Sequence, residues 1–279
     1  MKRTIALRRA LVAVAASFAL AACEDDSTGP SFEPQGRRVF AIDAAGNLLT
    51  FGTQNPNRVR SVAITGLASG ETLQGIDFRP ANGQLIGVGS SSRVYVVDTL
   101  TAAASALGSA SFTPALAGSS FGFDFNPTVD RIRLHGSAGQ NLRLHPETGV
   151  VAATDTALSY TTDDSGAFVT PRITATAYTN SVAGATTTQL FGIDSNRDVL
   201  VFVEAPNGGR MRTRGTLGVN TSDDAGFDIV GADAAREVYA ALTVGGQSNF
   251  YTIDLATGRA TFVGGIGTSS AVRGIAVAP

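Results

Sequence analysis

Three aspartates stand at the same point of a recurring string. Gly75-Ile76-Asp77-Phe78-Arg79-Pro80 is echoed by Gly122-Phe123-Asp124-Phe125-Asn126-Pro127, and Gly226-Phe227-Asp228-Ile229 is a third copy. Carboxylates that converge could bind a cation or a sugar, or could act as the acid and base of a glycosidase. A catalytic pair needs two carboxylates whose surroundings push their pKa values apart, whereas copies of one motif start from similar surroundings. Equivalent aspartates can also do a structural job, each satisfying backbone N–H groups within its own repeat.

A second group of polar residues is compressed into one stretch: Asn126, Asp130, Arg131, Arg133, Asn141 and Arg143. Arg131 and Arg133 alternate with Ile132 and Leu134, so on a strand both guanidinium groups share a face. Two such groups suit a carboxylate or phosphate ligand. The competing expectation is that they pair with Asp124, Asp130 or Asp228. Candidate ligand-binding residues are therefore Asp77, Arg79, Asp124, Asn126, Arg131, Arg133 and Asp228.

Other motifs carry less. Asp194-Ser195-Asn196-Arg197-Asp198 has the alternating oxygens of a calcium loop, but Val199 and Ala205 stand where the helical version needs Gly and a bidentate Glu. An Asp/Asn-rich turn accounts for it. Asp163-Asp164 and Asp223-Asp224 read as loop charges. Gly118-Ser119-Ser120-Phe121-Gly122 matches G-x-S-x-G, a pattern that marks a nucleophile only at a strand-to-helix elbow. Here a strand follows. His135 and His145 are the only histidines, and one hairpin could bring them together, but no third ligand has metal spacing. No catalytic residue, metal site or cofactor is assigned.

The elements that must position these residues are short strands. Alternating stretches such as Arg93–Asp98, Asp130–Leu134, Gln189–Asp194 and Glu237–Leu242 are bounded by Gly, Asn, Asp and Pro, the pattern of an all-β protein. The copies of the aspartate string, with diverged equivalents at Ile173–Thr179 and Gly274–Pro279, fall roughly 50 residues apart, in the range of propeller blades. Each of the first four is followed by three more strands, and four strands make a blade. The chain opens with three strands (Arg38–Asp43, Asn47–Phe51, Arg58–Ile64) and closes on a lone one, Arg273–Ala278. Together these complete a fifth blade, which removes open sheet edges. The expectation is a five-bladed β-propeller over residues 37–279.

Ahead of it lies a targeting segment, residues 1–22. Lys2, Arg3, Arg8 and Arg9 precede an apolar run, Ala10–Ala19, that is too short to span a bilayer and ends in Leu20-Ala21-Ala22-Cys23. That ending resembles the lipobox of bacterial lipoproteins, in which the Cys is acylated and becomes residue one. Cys23 is the only Cys, so no disulfide is available and the core must hold by packing. Residues 23–36 are small, polar, acidic and Pro/Gly-rich, a flexible tether. The expected localisation is the cell envelope, anchored to a membrane on its periplasmic or cell-surface face. Removing the segment takes four of the 21 basic residues and the only Lys. It leaves 17 arginines against 23 acidic residues, net −6. That balance argues against a nucleic-acid partner, and the absence of Lys excludes amine catalysis.

Longer strings carry a resemblance. Phe121–Arg133 (FGFDFNPTVDRIR), Gly139–Leu144 (GQNLRL), Ala177–Asp194 (AYTNSVAGATTTQLFGID) and Glu71–Pro80 (ETLQGIDFRP) resemble a bacterial family of exported proteins catalogued as a domain of unknown function, family 4394. The resemblance covers about Arg38–Pro279 and implies a propeller-like fold with no assigned activity. It also implies Asn where His145 stands. The function expected is a binding or interaction module whose partner is a small molecule, a glycan or an envelope protein. The alternative is a hydrolase or lyase centred on the channel, using Asp77, Asp124 or Asp228 with Arg131.

Overall fold

The computed structural model describes residues 32–279; the expected signal peptide and Cys23 lie outside them. In chain order the strands are β1 (Arg38–Asp43), β2 (Asn47–Gly52), β3 (Asn55–Ala63), β4 (Leu73–Phe78), β5 (Leu85–Gly89), β6 (Arg93–Val97) and β7 (Ala104–Leu107). Then come β8 (Phe121–Asn126), β9 (Arg131–Gly136), β10 (Asn141–Leu144), β11 (Val151–Thr154) and the two-residue β12 (Ser159–Tyr160). The rest are β13 (Ile173–Tyr178), β14 (Leu190–Asp194), β15 (Val199–Ala205), β16 (Arg210–Thr216), β17 (Ala225–Val230), β18 (Glu237–Val244), β19 (Gln247–Ile253), β20 (Ala260–Gly265) and β21 (Val272–Val277).

They form five antiparallel sheets, β21-β1-β2-β3, β4–β7, β8–β11, β13–β16 and β17–β20. This is a five-bladed propeller. The first blade takes its innermost strand from the C-terminus, with Val39 opposite Val277 and Ala41 opposite Ile275. One strand was not legible in the sequence: β12 adds to the outer edge of the fourth blade, pairing parallel with β16. Burial follows the topology. The inner strands β4, β8, β13 and β17 are buried almost throughout, while outer strands such as β20 alternate or are exposed.

The cores lie between neighbouring blades. Ile86, Val88 and Val94 of the second blade pack on Phe123, Phe125 and Ile132 of the third. Val39, Leu49 and Phe51 of the first meet Tyr239, Ala241 and Phe250 of the fifth. Burying side chains of this size contributes about 1.5–3 kcal/mol each, and without disulfides these wedges hold the ring closed. Around the axis the five inner strands pack in the order β4, β8, β13, β17, β21 and back to β4.

The glycine of the repeated string has its reason here. A Cβ on Gly226 would sit 2.6 Å from the backbone nitrogen of Ile275, and one on Gly122 2.6 Å from Cβ of Thr176. At this level adjacent inner strands touch backbone to backbone, which only glycine allows.

Candidate functional site

Two residues after each of these glycines, the aspartates reach the axis. Asp77, Asp124 and Asp228 are all buried, and one carboxylate oxygen of each lies within 4.8 Å of the other two. Among the described residues this is the one such group of acidic or metal-ligating side chains.

Their hydrogen bonds follow a rule that the sequence did not disclose. Phe125 N–H donates to Asp77 (2.8 Å), Tyr178 N–H to Asp124 (2.9 Å) and Val277 N–H to Asp228 (2.6 Å). In each case the donor belongs to the next blade, not to the carboxylate's own repeat. Where the preceding blade carries Ala177 or Ala276 instead of Asp, the local aspartate serves its own strand. Phe78 N–H donates to Asp77 at 2.7 Å, and the Ile229 N–H acts on Asp228. Three carboxylates thus accept hydrogen bonds from four inner-strand N–H groups, three of them on the next blade, and link the blades. Asp77 spends both oxygens in this way. The second oxygen of Asp124 accepts no hydrogen bond among the described residues.

Among the described residues no basic side chain forms a salt bridge with any of the three, and the nearby Arg79 pairs with Asp130 instead. Burial, and then repulsion from Asp228, raises the Asp77 carboxyl well above the usual range. Burial, and then repulsion from Asp77 and Asp228, does the same to Asp124. Burial pushes Asp228 up to about 6, against the two N–H groups that lower it. Three carboxylates this close and this dry hold protons, or they hold a cation.

Two of the three, Asp77 and Asp228, floor a pocket of about 170 Å³ at the end of the axis where the inner strands finish. Asp77 and Asp228 line it, with Arg79, Val230, Val277 and the Ser181–Ala183 part of the β13–β14 loop. The other end of the axis is plugged. The gap beside Gly75, Gly122, Thr176 and Gly274 is only about 10 Å³. The pocket is therefore blind and opens on one face. Ser181, Val182 and Ala183 were missed by sequence reasoning, and the unusual length of the connection between Tyr178 and Leu190 was the available signal.

The remaining candidates separate. Arg79 reaches the pocket wall but is tied to Asp130, with Nε 2.9 Å from Oδ1, and lies 3.3 Å from Glu147. Asn126 accepts from the Thr128 N–H and hydroxyl. Arg131 and Arg133 do not converge. Arg131 folds back on the carbonyls of Val129 and Asp130. Arg133 is buried at the third-to-fourth blade junction, donating to Asp155 (2.6 Å), Asn141 (2.8 Å), Asn207 (2.7 Å) and the Tyr178 hydroxyl (3.2 Å). Burial would raise Asp155, but hydrogen bonds from Arg143 and Arg133 outweigh it and hold the group below its usual range.

The other motifs resolve locally. Asp194 accepts from Tyr160 OH and the Asn196 N–H, and Asp198 from the Thr221 N–H, so the calcium-like string is a hydrogen-bonded turn. Asp163, Asp223 and Asp224 pair with Arg212, Arg172 and Arg273, and Asp164 accepts from Thr213. Ser120 leads into β8, with no helix after it. His135 pairs with Asn141 across the β9–β10 ladder while His145 follows the far end of β10, so the histidines do not meet. Burial, and then the Arg133 charge, pushes His135 down to about 3. Its Nδ1 sits 2.8 Å from the Thr176 hydroxyl.

Fold and repeat together define a five-bladed propeller with a carboxylate-floored axial pocket. The chain belongs to the domain of unknown function family DUF4394, which it matches over residues 47–276. No curated protein matches it. Among solved structures it is similar to PorZ, a surface component of the type-IX secretion system of Porphyromonas gingivalis. The identity is 16%, the match covers 86% of this chain and 28% of that one, and the TM-score is 0.39. It is similar to a putative 6-phosphogluconolactonase from Bacteroides uniformis (14% identity, 82% of this chain, 68% of that one, TM-score 0.41). It is also similar to a protein of unknown function from Bacteroides thetaiotaomicron (13% identity, 87% of this chain, 64% of that one, TM-score 0.49). The chain thus spans little more than a quarter of the first of these and just under two thirds of the last.

Proposed function

We propose that the protein is a lipid-anchored binding module of the cell envelope whose axial pocket captures a small cationic centre, either a divalent metal ion or an organic ammonium group. The observation that carries this reading is the convergence of three carboxylates, none of them in a salt bridge among the described residues, in which the second oxygen of Asp124 accepts no hydrogen bond. Three mostly buried carboxylates without a basic partner repel one another, and a bound cation would relieve that repulsion. Three oxygens from one side, with the pocket side left for water or ligand atoms, suit a hard cation that takes six or more oxygens. Asp77 and Asp228 form the wall that meets the ligand, and Asp124 lies beside them.

The Leu-Ala-Ala-Cys23 string supports the anchoring. Arg131 does not line the pocket, so the hydrolase alternative loses its electrophile and binding is favoured.

The test is a thermal-shift panel on the full chain at pH 7.5 with Ca²⁺, Mg²⁺, Mn²⁺ and an alkyl diamine. The expected result is a rise in melting temperature with at least one cation, abolished in Asp124→Asn and Asp228→Asn. Failure of every cation to shift the wild type, or equal shifts in the variants, would overturn the proposal.

A further inference from the structure

A second cavity, of about 490 Å³, lies where the fifth blade meets the start of β3, away from the axis. Its lining is unusual in what it excludes. No charged side chain contributes, and Ile266 is its one large apolar residue. The wall is made of Asn57, Gln247, Asn249, Thr268, Ser269 and Ser270, interleaved with glycines.

Most of this polarity is unspent. The side chains of Asn57, Gln247 and Ser269 are exposed and make no hydrogen bond among the described residues. Asn249 uses its amide nitrogen on the Gln247 carbonyl (3.3 Å) and keeps its oxygen free. A carboxamide offers both donors and acceptors, and three of them gather here beside a hydroxyl-bearing loop. The Gly246 turn leaves the backbone bare, since a Cβ there would meet nothing within 4 Å. The cavity volume falls in the range of small-molecule sites.

A charged ligand would find no counter-charge on this wall, and an apolar one would strand the amides unpaired. A ligand that presents many hydroxyl and amide groups, and no net charge, satisfies both conditions. We propose that this cleft is a binding site for a neutral saccharide, separate from the axial pocket and independent of the cation reading.

The test is ligand-observed NMR and calorimetry on the full chain. The probes are cellotetraose, maltotetraose and tetra-N-acetylchitotetraose, with tetragalacturonate as the charged comparator. The expected result is that at least one neutral tetramer binds and the galacturonate does not. Gln247→Ala combined with Asn249→Ala should weaken binding tenfold or more, and Ser269→Trp, on an exposed loop, should block it. Asp124→Asn should leave it unchanged. Absence of binding by all three neutral tetramers at millimolar concentration would overturn the proposal. So would binding that survives Ser269→Trp in a protein that melts as the wild type does, or equal binding of the galacturonate.

Discussion

Asp228 shows how one residue ties stability to pH. Its carboxyl is raised from an ordinary value of ~3.9 to about 6. Between those values the native state therefore binds more protons than the unfolded state, and stability falls as pH rises through this window. The loss for this group is complete above the folded value and is on the order of 3 kcal/mol at most. Thermal melts from pH 4 to pH 8 should show the midpoint declining, with the decline reduced in Asp228→Asn. A midpoint that rises over the same range would contradict the assignment. Arg133 makes the opposite case, a buried cation fully paired. Removing it as Arg133→Met leaves Asp155 with Arg143 alone and takes the donor from the buried Asn141 side-chain oxygen. Breaking a buried pair from one side costs about 3–5 kcal/mol, which urea denaturation would read directly. The sequence exposed the aspartates through repetition and the arginines through alternation. It could not show that Arg133 finds Asp155, because the residue that separates structural from free is supplied by a different strand.

At the scale of the element, the inner strand is where sequence and packing agree most closely. Gly, apolar, Asp, apolar is a strand that must touch its neighbour, fill a wedge, cap an N–H and fill the next wedge. Gly226→Ala pushes a methyl group into the backbone of β21. Overpacking of this kind costs about 1–3 kcal/mol, so the variant should melt several degrees lower, whereas Gly246→Ala, in open space, meets strain only from its φ of +82°. A Gly226→Ala variant as stable as the wild type would mean that the ring can widen at the axis. Four strands per repeat were legible from alternation and turn residues. The short β12 was not, since two residues carry no period, and its pairing with β16 depends on where the loop after β11 returns.

For the whole molecule, closure is the decisive feature. β21 is the last strand in sequence and an inner strand in space, and it packs on β1, β17 and β4. Deleting residues 272–279 removes Val272, Ile275 and Val277 from the core shared by the first and fifth blades and leaves Asp228 without its Val277 partner. The expected outcome is loss of a single cooperative transition in calorimetry, and a sharp two-state melt in the truncated chain would show that four blades stand alone. The lone terminal strand and the three opening strands made this closure legible, because neither set completes a blade without the other. The blind axial pocket was not legible, because the plug at one end and the β13–β14 loop at the other arise only when five repeats meet.

On the proposed reading, the axial carboxylates exchange protons for a cation. Calorimetric titration of the full chain with the cation that gives the largest thermal shift, at pH 6 in two buffers of different ionisation enthalpy, measures this directly. Saturable binding near one equivalent with net proton release is expected, with no binding by Asp124→Asn. Binding without proton release, or binding that persists in the variant, would place the cation elsewhere and leave the three aspartates as links between blades.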